Sequence, residues 1–233
     1  MRLRPLLCLV ALASVLTSSS SVTQAGTTWK LSFSDDFTRL NQSSWSVYGK
    51  GGPSGAHCYD SANVTVSGGQ LKLKVAPSTK CKGYSAGGMC ACAVTTQTYG
   101  KFEARMKATV GNSKITLLLW GAKDWPPEID FAEFPADGLG MTRQRFNETL
   151  HYSSKNLMIH SHTDADMTNW HTVGVEWSPG KVVYTLDGRA KTTITQHVPS
   201  VDMWMGIQTA GSKTATLAYT YIDWVHVYKY LGG

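Results

Sequence analysis

Three carboxylates crowd into one short stretch, Trp125-Pro126-Pro127-Glu128-Ile129-Asp130-Phe131-Ala132-Glu133-Phe134. Apolar residues separate them, and no Lys or Arg is interleaved, as a solvated polar face would have. A calcium loop would instead set its acids among glycines and carbonyl oxygens on flexible chain. On a regular strand Glu128 and Asp130 share a face, with Ile129 and Phe131 on the other. Glu133 is out of phase with that alternation. One extra residue, in a bulge near Phe131-Ala132, brings all three acids to one face as successive inward positions. Ile129, Phe134 and one of the bulge residues then pack into the core. Acids this close cannot all be charged without cost, so at least one holds its proton above the usual range. One ionised and one protonated carboxyl is the condition for acid–base work. Glu128 and Glu133 start well apart, but leaning side chains can close to about 5–5.5 Å. At that separation one carboxylate attacks a sugar's anomeric carbon while the other handles the proton. Asp130 lies between them, where it can hydrogen-bond Glu128 and tune its charge.

The elements that must position these acids read as strands. Leu71, Leu73 and Val75 alternate with Gln70, Lys72 and Lys74, and Val173, Val175 and Trp177 with Thr172, Gly174 and Glu176. Val182, Tyr184 and Leu186 run into Asp187-Gly188, a hairpin turn signal. Near the C-terminus, Ile222, Trp224, His226 and Tyr228 are expected on one face and Val225 and Val227 on the other. Glycine, Asn, Asp and Ser clusters punctuate these runs, and no window shows helical periodicity. The fold class is therefore all-β: many short antiparallel strands in a two-sheet sandwich or a barrel.

The composition agrees. Of 233 residues, 42% are hydrophobic and 16% charged, with 22 Gly, 8 Trp and 10 Tyr. The low charge excludes a coiled coil or a disordered chain, and the absence of a Lys/Arg run argues against a nucleic-acid partner. Residues 1–25 read as a secretory signal: Arg2 and Arg4, an apolar stretch from Leu6 to Leu16 too short to span a bilayer, then Thr23-Gln24-Ala25. Residues 26–233 form one domain without a membrane span, expected to be secreted and monomeric. Its four cysteines, Cys58, Cys81, Cys90 and Cys92, are an even number in an exported chain and predict two disulfides. In an extended segment Cys90 and Cys92 would not bond to each other easily, because side chains two apart point the same way. The spacing does not suit zinc.

With these residues assembled, the chain resembles glycoside hydrolase family 16, the secreted β-glucanase group. Glu128-Ile-Asp130-Phe-Ala-Glu133 is similar to the bulged form of that family's signature, E-[ILV]-D-x-x-E. Tyr99 to Lys107 resembles the strand before it, Trp170 to Gly180 and Leu186-Asp187-Gly188 a later hairpin, and Ile222 to Tyr228 the closing strand. The resemblance implies a jelly-roll β-sandwich whose concave face holds a polysaccharide cleft. It implies Glu128 as nucleophile, Glu133 as general acid/base and Asp130 as the assisting carboxylate. Trp120 and Trp125 match its aromatic platforms, and His151 and Gln208 match positions that can face the cleft. Arg105 is favoured as a structural residue. No cofactor is required, but the family's structural calcium site lies away from the cleft and uses an acid of the closing strand. Asp223 matches that acid, with Asp36 and Gly68 as companions.

The reaction this implies is double-displacement hydrolysis of β-1,3 or mixed β-1,3/1,4 glucan, with a polysaccharide as the partner. Transglycosylation between cell-wall glycans and hydrolysis of galactans are the readings nearest to it. A non-catalytic, lectin-like sandwich is the alternative of another class. It would keep the Trp platforms but has no need of two glutamates facing each other.

Overall fold

Alternating apolar residues cannot bury one side alone, so the strands they form must stack in layers. In a computed structural model describing residues 28–49, 58–79 and 81–232, these sequences form sixteen strands. They are β1 (Trp29–Asp35), β2 (Ser46–Val47), β3 (Val64–Ser67), β4 (Gln70–Pro77), β5 (Tyr84–Ala86), β6 (Gly88–Cys90), β7 (Gly100–Ala108) and β8 (Lys114–Gly121). Next come β9 (Glu128–Phe134), β10 (Arg145–His151), β11 (Met158–Asp164), β12 (His171–Ser178), β13 (Lys181–Leu186), β14 (Arg189–Ile194), β15 (Met203–Ala210) and β16 (Ala218–Tyr230). Helix is confined to single turns such as Cys92–Thr95 and Gly138–Met141 among the described residues. None is long and apolar enough to cross a membrane. The expected signal at 1–25 lies outside the described residues.

Two antiparallel sheets result. One runs β14-β13-β12-β7-β16-β4-β3, with β1 also paired to β16 and β5 to β4. The other runs β11-β10-β9-β8-β15-β6-β2 and carries the three acids in its middle. Between the sheets lies one apolar core. Phe102, Ala104 and Met106 of β7, Val173, Val175 and Trp177 of β12, and Ile115, Leu117 and Leu119 of β8 all contribute to it. The hairpin turn predicted at Asp187-Gly188 joins β13 to β14, with both residues at positive φ, 51° and 72°. Of the sandwich and the barrel that the alternation allowed, the architecture is the two-sheet sandwich.

Two buried polar knots brace this frame. Arg143 is fully buried and donates to the carbonyls of Thr109, Gly111, Ser113 and Gly140 and to Ser113 Oγ. It thus ties the β7–β8 turn to the chain that leaves β9. Burial lowers its pKa to about 10, so the guanidinium stays charged at neutral pH. Glu148 of β10, also fully buried, accepts from Ser161 and Thr163 of β11 and from Thr192 of β14. It links the edges of the two sheets, and both of its carboxyl oxygens are hydrogen-bonded.

Two expectations about local geometry are corrected. Ile222 does not share a face with Trp224, His226 and Tyr228; it joins Val225 and Val227 in the core. The β16–β7 register shifts between Ile222 and Trp224, and this bulge at Asp223 inverts the alternation. Cys90 and Cys92 are bonded to each other, with Cα atoms 5.2 Å apart. The segment is not extended there: β6 ends at Cys90, and Ala91 (φ −92°, ψ 39°) turns the chain into the helical Cys92–Thr95. Cys58 is disulfide-bonded as well.

Candidate active site

The register of the second sheet assembles the site in rows across β8, β9 and β10. Glu128 lies between Trp120 and His151, Asp130 between Leu118 and Thr149, and Glu133 between Thr116 and Asn147. Both neighbouring ladders slip between Asp130 and Glu133, so the bulge is at Phe131-Ala132. Both bulge residues pack in the core with Ile129 and Phe134, whereas only one was expected there. A bulge turns two consecutive side chains to the same side, which restores the phase at Glu133. The three acids consequently face one recess of about 220 Å³, together with Tyr59, Lys114, Thr116, His151 and Gln208.

Each acid has a distinct environment. Trp125 Nε1 donates to Glu128 Oε2 at 2.8 Å. His151 Nε2 lies 3.3 Å from Asp130 Oδ2, while its Nδ1 meets Asn156 Oδ1 at 2.7 Å. Thr149 Oγ1 reaches Glu133 Oε2 at 3.5 Å, a weak contact at most. Burial, and then the charge of Asp130, push the Glu128 carboxyl up to about 8. The Trp125 N–H and the charge of His151 oppose that rise. Glu133 is raised too, first by burial and then by Asp130, with Lys114 and His151 pulling the other way. His151 is pushed up to about 9, chiefly by its hydrogen bond to Asp130, and is a cation at neutral pH.

Ligand atoms of Glu128, Asp130 and His151 come within 4.8 Å of one another, close enough in principle for a metal ion. Both His151 nitrogens are engaged, by Asp130 Oδ2 and Asn156 Oδ1, and Glu128 Oε2 accepts from Trp125. Calcium at Asp223 does not fit the structure. The Asp223 carboxylate is held by the guanidinium of Arg105, which would repel a cation, on the outer face of the other sheet. Among the described residues no cluster of three His, Cys, Asp or Glu side chains surrounds it. Arg105 is thereby placed away from the cleft, paired with Asp223 and lying 4.9 Å from the Trp170 ring.

The four expected sugar contacts come together on the acids' face. Trp120 and Trp125 have ring centroids 6.3 Å apart, and Trp125 is 6.0 Å from the His151 ring. Gln208 lines the recess and accepts from the Tyr59 hydroxyl at 2.8 Å. Several neighbours escaped the sequence reading. Trp204 stacks beside Trp120 at 6.4 Å, and its parity with Gln208 on β15 was the available signal. Lys114 and Thr116 share the parity of Trp120 on β8 in the same way. Asn156 and Tyr59 lie outside the named strands and carried no periodic signal. Asn147, the first residue of the sequon Asn147-Glu148-Thr149, faces Glu133 across the β9–β10 ladder, and Thr149 is buried.

The family described as Glycosyl hydrolases family 16 matches residues 54–226. The chain belongs to that family. Among its solved structures, the laminarinase catalytic domain of Thermotoga maritima MSB8 superposes with a TM-score of 0.74 at 21% identity, covering 88% of this chain and 99% of that one. The endo-β-1,3-glucanase of Pyrococcus furiosus gives 0.74 at 21% identity, covering 88% and 96%. These likenesses establish the jelly-roll fold. In sequence, the chain is 25% identical over 240 residues to the clotting factor G alpha subunit of Tachypleus tridentatus, covering 86% of this chain and 34% of that protein. It is 28% identical over 151 residues to the endo-1,3-1,4-β-glycanase ExsH of Rhizobium meliloti (strain 1021), covering 58% and 32%. The chain thus spans about a third of the length of these two relatives.

Proposed function

We propose that this chain is a retaining endo-β-glucanase that hydrolyses β-1,3 or mixed β-1,3/1,4 glucan by double displacement. The observation that carries the reading is the bulge at Phe131-Ala132, which turns Glu128 and Glu133 into one recess with Asp130 between them. Glu128 attacks the anomeric carbon; the glycosidic C–O bond breaks as Glu133 delivers its proton to the leaving oxygen. Water, deprotonated by Glu133, then attacks the glycosyl–Glu128 ester and releases the sugar with its original configuration. The raised pKa of Glu133 keeps that proton available.

Glu128 must be ionised to attack, yet its titration lies high. One proton is shared within the Glu128–Asp130 pair, and the hydrogen bonds decide where it sits. Trp125 N–H points at Glu128 Oε2, which favours charge there. Asp130 Oδ1 is buried without a hydrogen-bond partner among the described residues, which leaves that oxygen free to share the proton with Glu128. His151 balances the pair from the far oxygen of Asp130. Trp120, Trp125 and Trp204 give the sugar rings flat apolar faces at little rotamer cost.

The names of the relatives point the same way: laminarinase and endo-β-1,3-glucanase for the structures, endo-1,3-1,4-β-glycanase for ExsH. We place the protein outside the cell as a monomer without a resident cofactor; a Cys90–Cys92 disulfide suits an oxidising compartment. Reducing-end release across laminarin, lichenan, agarose, carrageenan and xyloglucan tests the substrate. Release from laminarin or lichenan with retained configuration by NMR is the expected result. Activity confined to the galactans, or an inverted product, would overturn it.

A further inference from the structure

The outer face of the first sheet, turned away from the cleft, carries rings and ammonium groups in alternation. Trp170 precedes β12, and Lys107 of β7 lies 4.9 Å from its ring centroid and 5.6 Å from that of Tyr221 on β16. Lys72 of β4 lies 5.5 Å from the same Tyr221 ring and 4.2 Å from Tyr219. The order across the strands is therefore ring, cation, ring, cation, with Tyr219 beside Tyr221 on β16 at 6.2 Å between ring centroids. Tyr219, Tyr221 and both lysines are half-buried, so part of each is open to solvent on this face. Among the described residues neither Lys72 nor Lys107 forms an ion pair: the acids of this face go to other cations, Asp223 to Arg105, and Glu103 and Glu176 to Lys101.

We propose that this strip binds an acidic polysaccharide, one whose sugar units bear carboxylates. The tyrosine and tryptophan faces would stack on pyranose rings while Lys72 and Lys107 meet the carboxylates between them. Charge complementarity selects this occupant. Lys offers point charges suited to single carboxylates, whereas the one guanidinium of the strip, Arg105, is already engaged and leaves no planar fork for phosphate or sulfate. Single-stranded nucleic acid also uses rings and cations, and its binding is the contrary outcome of the test below. The strip crosses about three strand spacings, roughly 15 Å, enough for a few sugar units. This site goes beyond the proposed hydrolysis: it would hold the protein on an acidic matrix while the opposite face works on a neutral glucan.

The test is titration calorimetry of the full chain with sodium polygalacturonate oligomers at low and high salt, with cleavage of neutral β-glucan measured in parallel. The expected results are salt-sensitive binding in the wild type and at least tenfold weaker binding in Tyr221→Ala and in the double variant Lys72→Gln/Lys107→Gln. Glucan cleavage should be unchanged in both. The lysine variant keeps the aromatic packing and decides the matter if Tyr221→Ala does not fold. No binding, equal binding by the lysine variant, displacement by a neutral β-glucan oligosaccharide, or tighter binding of oligo-deoxythymidine would each overturn the proposal. Loss of glucan cleavage in the wild type would count against the hydrolase reading and leave this result intact.

Discussion

Replacing Glu128 with Gln should make stability less sensitive to pH, in a window that isolates this carboxyl from its neighbour His151. The proton that folded Glu128 shares with Asp130 is kept up to about 8, whereas the ordinary glutamate side chain releases it at 4.5. Between those values the folded chain binds more protons than the unfolded one, so wild-type stability falls as pH rises. Glutamine has no such titration. His151 behaves in the opposite sense to a lowered carboxylate: its pKa is raised from 6.5 to about 9, so its contribution is complete below 6.5 and is lost as pH rises through about 9. From pH 4.5 to 6.5 the Glu128 titration integrates to roughly 2 kcal/mol, at about 1.4 kcal/mol per pH unit. For a domain of this size that is a shift of about 4–8 °C in Tm. Thermal melts of wild type and Glu128→Gln across this window, followed by circular dichroism, should diverge by that amount, the variant gaining as pH rises. Parallel curves would refute the reasoning, because they would mean that Glu128 is neither buried nor pressed by Asp130.

Three other outcomes follow from named contacts. Trp125→Phe keeps a ring but removes the N–H on Glu128 Oε2; losing a bond to a charged group, worth about 1.5–3 kcal/mol, should lower kcat/KM by roughly 10–100-fold and move its acidic limb to higher pH. A change in KM alone would reduce Trp125 to a sugar platform. Arg143→Ala strips four carbonyls of their buried donor and should lower stability by about 3 kcal/mol or more in denaturant titrations, with a change below 1 kcal/mol contradicting the bracing role. Cys90→Ser/Cys92→Ser opens only a three-residue loop, so unfolding should show a loss of no more than about 1.5 kcal/mol; a larger loss would assign the bend at Ala91 to the disulfide itself.

The site was legible because its signal is local. The phase error at Glu133 is visible in the sequence, and the register shifts opposite Phe131-Ala132 are its physical answer. Trp120, Trp125, His151 and Gln208 could be placed by resemblance, but their partners depend on register between strands distant in sequence. Trp204 meets Trp120 only because β15 pairs with β8, and Tyr59 meets Gln208 across 149 positions of chain. The bulge at Asp223 shows the limit of alternation from the other side: a polar residue amid aromatics gave no warning that Ile222 would turn inward. Arg143 was silent because a buried guanidinium satisfied by carbonyls leaves no paired acid in the sequence to mark it.

The most direct test of the whole account is to trap the covalent intermediate. Incubation with a 2-deoxy-2-fluoro glucosyl donor bearing a good leaving group, followed by peptide mass spectrometry, reads which side chain becomes glycosylated. The account predicts a single adduct on Glu128, which turns over slowly and is slowed further in Glu133→Gln. An adduct on Glu133 or Asp130, or an inverted product formed without any adduct, would contradict it.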